Sequence, residues 1–156
     1  MNWDIHHNKR VITQLVGCLK TLALHQNDYS MAITVLLVDD HPTILKAITR
    51  LLAGDPEIQI VGEAMSFTQT MQLTGKLRPQ VVVMDLHLKD EKDATPSQVK
   101  SCLVGSRLLA MSIWQDDETK TLAETFGAAM LLDKANLAAE LIPAIKYYTG
   151  RDRVRA

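Results

Sequence analysis

Cysteine is nearly missing from this chain: Cys18 and Cys102 are its only two. Two thiols so far apart exclude a disulfide framework and a zinc-ligand pattern, and fit free thiols in a reducing cytoplasm. An excess of one charge is also missing. Seventeen Lys and Arg stand against 18 Asp and Glu, a formal net charge of −1, so there is no broad electrostatic reason to expect nucleic acid or acidic membranes as partners. No apolar run approaches the ~18 residues that a membrane span needs. MNWDIHHNKR at the start is not followed by a continuous apolar stretch, so no secretory signal is expected. Low-complexity tracts and internal repeats are absent, and no glycine occurs between Gly75 and Gly105. What is present, 47% hydrophobic residues in 156, suffices for one globular domain with a core of its own.

Residues 1–30 stand apart. Ile12, Leu15, Val16, Leu19, Leu22 and Ala23 recur at spacings of three and four, one stripe of an amphipathic helix over about 8–26. QNDYS breaks that pattern before Met31. Two readings stay open: an added helix that dimerises or covers a face of the domain, or upstream sequence ahead of a start at Met31. From Met31 to about residue 149 the pattern alternates. ITVLLV (33–38), EIQIVGEA (57–64), QVVVMD (80–85), RLLAMS (107–112) and AMLL (129–132) read as strands, mostly apolar as expected where both faces are covered. Between them lie helical stretches. Pro42 opens one near Gly54's end, Ser66 caps one to about Gly75, and Thr95-Pro96 opens one to about Leu103. Asp116 opens another that Gly127 closes, and Asn136 caps a last one to about Tyr148, where Pro143 is awkward enough to predict a late start or a bend. Strict alternation predicts an α/β fold, a five-stranded parallel doubly wound sheet with helices on both faces, and a ligand site beyond the carboxyl ends of the strands. Residues 150–156, with Arg151, Arg153 and Arg155, read as a basic tail.

The chemistry gathers at those strand ends. The first strand ends in Asp39 and Asp40, the third in Asp85, the fourth in Ser112, and the fifth runs into Lys134. Taken singly, each has a bland reading: a helix-capping acidic turn, a solvated strand end, a hydroxyl capping local backbone, a surface lysine. His41 reads as a polar helix-start residue rather than a ligand, and Asp90, Glu91 and Asp93 as a solvated loop. Together, three carboxylates, a hydroxyl and an ammonium on one edge point elsewhere. Carboxylate oxygens suit a hard cation such as Mg2+. A cation and Lys134 would neutralise a phosphoryl group, Ser112 would donate to one of its oxygens, and a carboxylate would serve as nucleophile. Asp85, alone on its strand, is the expected acceptor.

VLLVDDHP, VVVMD and LLDK, at these separations, resemble the receiver domain of bacterial two-component response regulators, and DDHP looks most like the branch of LuxR-type regulators. The resemblance covers about residues 32–149, and Ser112 and Lys134 are 22 positions apart as the family pattern requires. It implies a flavodoxin-like domain in a phosphorelay, phosphorylated on Asp85 by a histidine kinase or phosphotransfer protein with Mg2+ as cofactor. Asp40 would bind the metal directly, Asp39 through water, and Asp85 and the backbone carbonyl of His87 would join them. Lys134 would contact the phosphoryl group and Ser112 would move toward it. The chain would catalyse only its own phosphorylation and dephosphorylation. It would signal through a downstream protein or a homodimer, by the faces around the last two helices and strands four and five. Only eight residues follow Tyr148, so no DNA-binding output module is expected, and the receiver is expected to stand alone.

The pattern departs from the family in three places. LHLKDEKDATP replaces the usual proline and glycines after the phosphoacceptor, which predicts a different loop path with more local charge. Leu131 stands where an aromatic residue usually turns inward. Ile113 is bulkier than the small residue common beside the hydroxyl and is expected to narrow access to Asp85, while His87 and Trp114 are expected to flank the phosphoryl group and affect its hydrolysis. The alternatives are a pseudo-receiver that binds partners without phosphorylation and, behind it, a phosphotransferase with an aspartyl-phosphate intermediate.

Overall fold

A computed structural model describes residues 32–90 and 95–150. The helix expected over 8–26, the remainder of the loop at 91–94 and the basic tail at 151–156 lie outside the described residues. Five parallel strands, β1 (Ile33–Val38), β2 (Ile58–Ala64), β3 (Val81–Asp85), β4 (Arg107–Ser112) and β5 (Met130–Asp133), form one sheet in the order β2-β1-β3-β4-β5. Five helices alternate with them: α1 (Pro42–Leu52), α2 (Phe67–Leu77), α3 (Pro96–Cys102), α4 (Asp117–Phe126) and α5 (Leu137–Tyr148). The expected doubly wound α/β architecture is what the chain adopts. No helix among the described residues is long and apolar enough to cross a membrane.

The sheet is apolar on both faces because both are covered. Along β1, Val35 and Leu37 pack with Leu45, Ile48, Leu141 and Ile145 of α1 and α5. The alternate residues Leu36 and Val38 pack with Phe67, Val99, Ala123 and Phe126 of α2, α3 and α4. This is the period-two alternation of a pleated strand with a helix layer on each side. At the edge strand, Gly62 is a close approach: a Cβ there would lie 2.9 Å from Leu77 Cδ1. The absence of a side chain lets α2 settle onto β2.

The helix ends follow their capping chemistry. Ser66 accepts from Gln69 N–H, Asp116 from Thr119 N–H, and Thr95 with Gln98 forms a capping box. Gly127 closes α4 at φ 79°, a left-handed position that suits glycine. Two expectations need correction. α2 does not stop at Gly75; it runs to Leu77 and is closed by Arg78 at φ 45°. Asn136 makes no side-chain cap; Asp133 Oδ1 accepts from Ala135 N–H instead, and a 3-10 turn over Lys134–Asn136 leads into α5. Pro143 neither delays nor splits α5. Pro143 and Ala139, whose carbonyl loses its N–H partner, are both exposed residues.

Candidate functional site

Strand order makes the site. β1 and β3 lie side by side at the centre of the sheet, and the chain leaves β1 for β2 on one side and β3 for β4 on the other. That reversal opens a crevice at the carboxyl ends, where open α/β sheets bind ligands. Asp39 and Asp40 leave β1 there and Asp85 ends β3. Carboxylate oxygens of all three, with a ring nitrogen of His41, lie within 4.8 Å of one another. Asp39 is fully buried, and Asp40 and Asp85 are nearly so. Three carboxylates this close repel, and burial weakens the screening that water would supply.

Part of the compensation is Lys134. Its Nζ lies 2.6 Å from Asp39 Oδ2 and 2.8 Å from Asp85 Oδ2, bridging residues of two different strands. Burial by itself would push the lysine toward its neutral form. The hydrogen bonds and charges of Asp39 and Asp85 outweigh that and raise its pKa above the ordinary lysine value. Lys134 is therefore a fixed cation at neutral pH. Asp39 Oδ1 also accepts from His41 N–H at 2.9 Å.

Asp40 is served less well. His41 Nδ1 is 2.7 Å from Asp40 Oδ1, but the contact falls short of hydrogen-bond geometry, and this buried oxygen has no hydrogen-bond donor. Its other oxygen faces Lys89 Nζ at 3.5 Å, on a side chain that is 81% exposed. A buried acceptor without a donor, beside two further carboxylates, is the donor set of a hard divalent cation. Mg2+ fits this chemistry, with Asp40 the residue most in need of it.

The segment after Asp85 carries most of what sequence reasoning missed. Leu86 donates its N–H to Met111 O, His87 donates its N–H to Asp85 Oδ1 at 3.2 Å, and the side chains of Leu86 and Leu88 are buried in the core. Asp90 was expected in a solvated acidic loop. That expectation is wrong: its two oxygens accept from Phe67 N–H at 2.9 Å and Thr68 N–H at 3.3 Å, capping α2 from 22 and 23 residues away. No local pattern announces such a contact. His41, set aside as a helix-start residue, is indeed the N-cap of α1, yet it makes no side-chain cap and turns its ring to the aspartates. The adjacent DDH was the only available signal.

Ser112 is buried at the end of β4, and its Oγ accepts from Trp114 N–H at 3.0 Å. Among the described residues it makes no hydrogen bond to Asp85 or Lys134, so its place here is the backbone-capping one. Ile113 is 63% exposed and points away from the core. The rings of His87 and Trp114 meet edge to face with their centroids 4.7 Å apart. Leu131 is half-buried against the α2–α3–α4 side of the core.

Known proteins are similar to this chain in sequence and fold. The family described as the response regulator receiver domain matches residues 35–146. The chain is 31% identical over 116 residues to the transcriptional regulatory protein LiaR of Bacillus subtilis, covering 73% of this chain and 54% of LiaR. It is 27% identical over 113 residues to the nitrate/nitrite response regulator protein NarL of Escherichia coli, covering 72% of this chain and 52% of NarL. The chain thus spans about half the length of the curated relatives it matches. Among solved structures, a LuxR-family two-component response regulator from Aurantimonas sp. SI85-9A1 superposes with a TM-score of 0.68 at 27% identity, covering 77% of this chain and 87% of that one. The signal receiver domain of the putative response regulator NarL from Mycobacterium tuberculosis shares the fold, with a TM-score of 0.67 at 22% identity over 77% of this chain and 98% of that one.

Proposed function

The chain belongs to the response regulator receiver domain family of two-component systems, and from that membership we propose that it accepts a phosphoryl group on Asp85 and passes the signal on through protein contacts. The observation that carries this reading is the acidic set of Asp39, Asp40 and Asp85, drawn together at the switch point with Lys134 bridging two of its members.

An Asp85 carboxylate oxygen attacks the phosphorus of a donor. An acyl phosphate bond forms, the donor's bond to phosphorus breaks, and the leaving group keeps the electron pair. Asp40, Asp85, Asp39 and the main-chain carbonyl of His87 would hold Mg2+, which when bound supplies positive charge to the transferring oxygens. Lys134 already touches Asp85 and needs only a small shift to follow the new phosphoryl oxygens. The oxygen of Ser112 is occupied as an acceptor by Trp114 N–H, which leaves its O–H available to donate to a phosphoryl oxygen after a rotation. The Asp40 oxygen without a donor supports Asp40 as a direct ligand. Asp39, already tied to Lys134 and His41 N–H, supports a less direct part for itself. The donor in this reading is a histidine kinase or phosphotransfer protein, the compartment is the cytoplasm, and the chain acts on itself rather than on an external substrate.

The test is mass spectrometry after incubation with Mg2+ and a small phosphodonor. The expected gain is about 80 Da, one phosphoryl group, absent without Mg2+ and absent in Asp85→Asn. No gain in the wild type, or an undiminished gain in Asp85→Asn, overturns the reading.

A further inference from the structure

The loop from β3 to α3 has none of the proline and glycine that would stiffen it locally, yet residues 86–90 are held at every step. Leu86 and Leu88 are anchored in the core, His87 N–H rests on Asp85, Lys89 reaches Asp40, and Asp90 is bound to two amides of α2. Among the described residues, the last of these contacts hydrogen-bonds the loop to the backbone at the start of α2. We propose that Asp90 is a positioning residue for the acidic site: by holding the start of α2 it fixes the backbone of residues 86–90, and through it the Asp85 carboxylate and the ammonium of Lys89 relative to Asp40. This rests on the function proposed above and extends it to a residue outside the acidic set.

The bonds of Asp90 are charge-assisted and lie at the positive end of an 11-residue helix, where a carboxylate is favoured. Ser66 already caps this helix by accepting from Gln69 N–H, and Thr68 is exposed, so water can replace the carboxylate at its amide. In the loop, Asp90 is the last tie among the described residues before residue 91. Loss of Asp90 therefore acts on the loop and the site more than on the helix.

The two roles separate in a comparison of Asp90→Ala, Asp90→Asn and Ser66→Ala with the wild type. Hydrogen exchange at the His87 and Lys89 amides needs no ligand. We expect it to quicken in Asp90→Ala, to be partly restored in Asp90→Asn, which keeps one acceptor oxygen, and to be unchanged in Ser66→Ala. Mg2+ affinity, read from Trp114 fluorescence in a Trp3→Phe background, is expected to fall about tenfold in Asp90→Ala, the low end for residues that support a metal site indirectly, and to hold in Ser66→Ala. Unchanged exchange at residues 86–90 in Asp90→Ala overturns the proposal, as does a loss of Mg2+ affinity that Ser66→Ala matches. If the wild type binds Mg2+ but never gains a phosphoryl group, the function proposed above fails while these comparisons still decide the part played by Asp90.

Discussion

Two loops leave buried central strands at an aspartate and begin with the same local bond, from the N–H two residues on to that aspartate, but they differ in length and in what else holds them. The β1–α1 turn spans only residues 39–41: His41 N–H returns to Asp39 two residues back, Asp39 N–H donates to Ala64 O, and Pro42 starts the helix at once. The β3–α3 loop runs from residue 86 to Thr95, and beyond the local bond of His87 to Asp85 its described part is held by partners far away in sequence: Met111, Phe67, Thr68 and Asp40. A short turn that runs straight into a helix has few backbone groups left to place. A long one without glycine borrows geometry from the core, from a neighbouring helix and from the site it serves.

The contrast can be broken most forcefully at the residue that joins the two loops. Lys134→Met leaves Asp39 and Asp85 buried without their shared cation, and removing one partner of a buried pair costs about 3–5 kcal/mol. We expect a loss in that range by urea unfolding, with Mg2+ restoring part of it. A loss under about 1 kcal/mol would mean that the pair is screened as on a surface. The anchors of the longer loop come next. Leu88 is 1% exposed, and Leu88→Ala should cost about 3 kcal/mol as a buried truncation. His41→Ala, in the shorter turn, should stay within about 0.5 kcal/mol, because that side chain is 64% exposed. Equal costs would erase the difference between the loops. Mg2+ at a hundred times its dissociation constant should stabilise the wild type by about 2.7 kcal/mol, seen as a rise in Tm that Asp40→Ala loses.

The smallest effect concerns the cap of α4. The Thr119 backbone N–H, donated to Asp116, holds the Asp116 carboxyl below its ordinary pKa. A lowered folded-state pKa contributes stability above the unfolded value and loses it as pH falls through the folded one. The Tm difference between wild type and Asp116→Ala should thus be constant near neutrality and shrink below about pH 4. A difference that grows on acidification would contradict the cap.

Much of this molecule was legible before any coordinates. RLLAMS matches β4 residue for residue, and the caps at Ser66, Thr95 and Asp116 appear as read. Apolar runs and caps are local signals, set by pleat and by helix-end hydrogen bonding. Asp39, Asp40, Asp85 and Lys134 were legible for another reason: a parallel sheet gathers all its strand ends on one edge, so the last residues of distant strands become neighbours. Ser112 reaches that edge too, but with its hydroxyl oxygen turned to its own turn.

Asp90 and His41 were not legible in the same way. Along the chain, Asp90 is one of several charges in KDEKD, and nothing within a few residues separates it from the others. Sequence alone determined the elements, their alternation and the carboxylates at the strand ends, because those follow from contacts within one strand, one helix or one cap. Tertiary structure decided which aspartate would cap α2, which oxygen of Asp40 would lack a donor and which two carboxylates Lys134 would bridge, because each depends on where separate segments come to rest against one another.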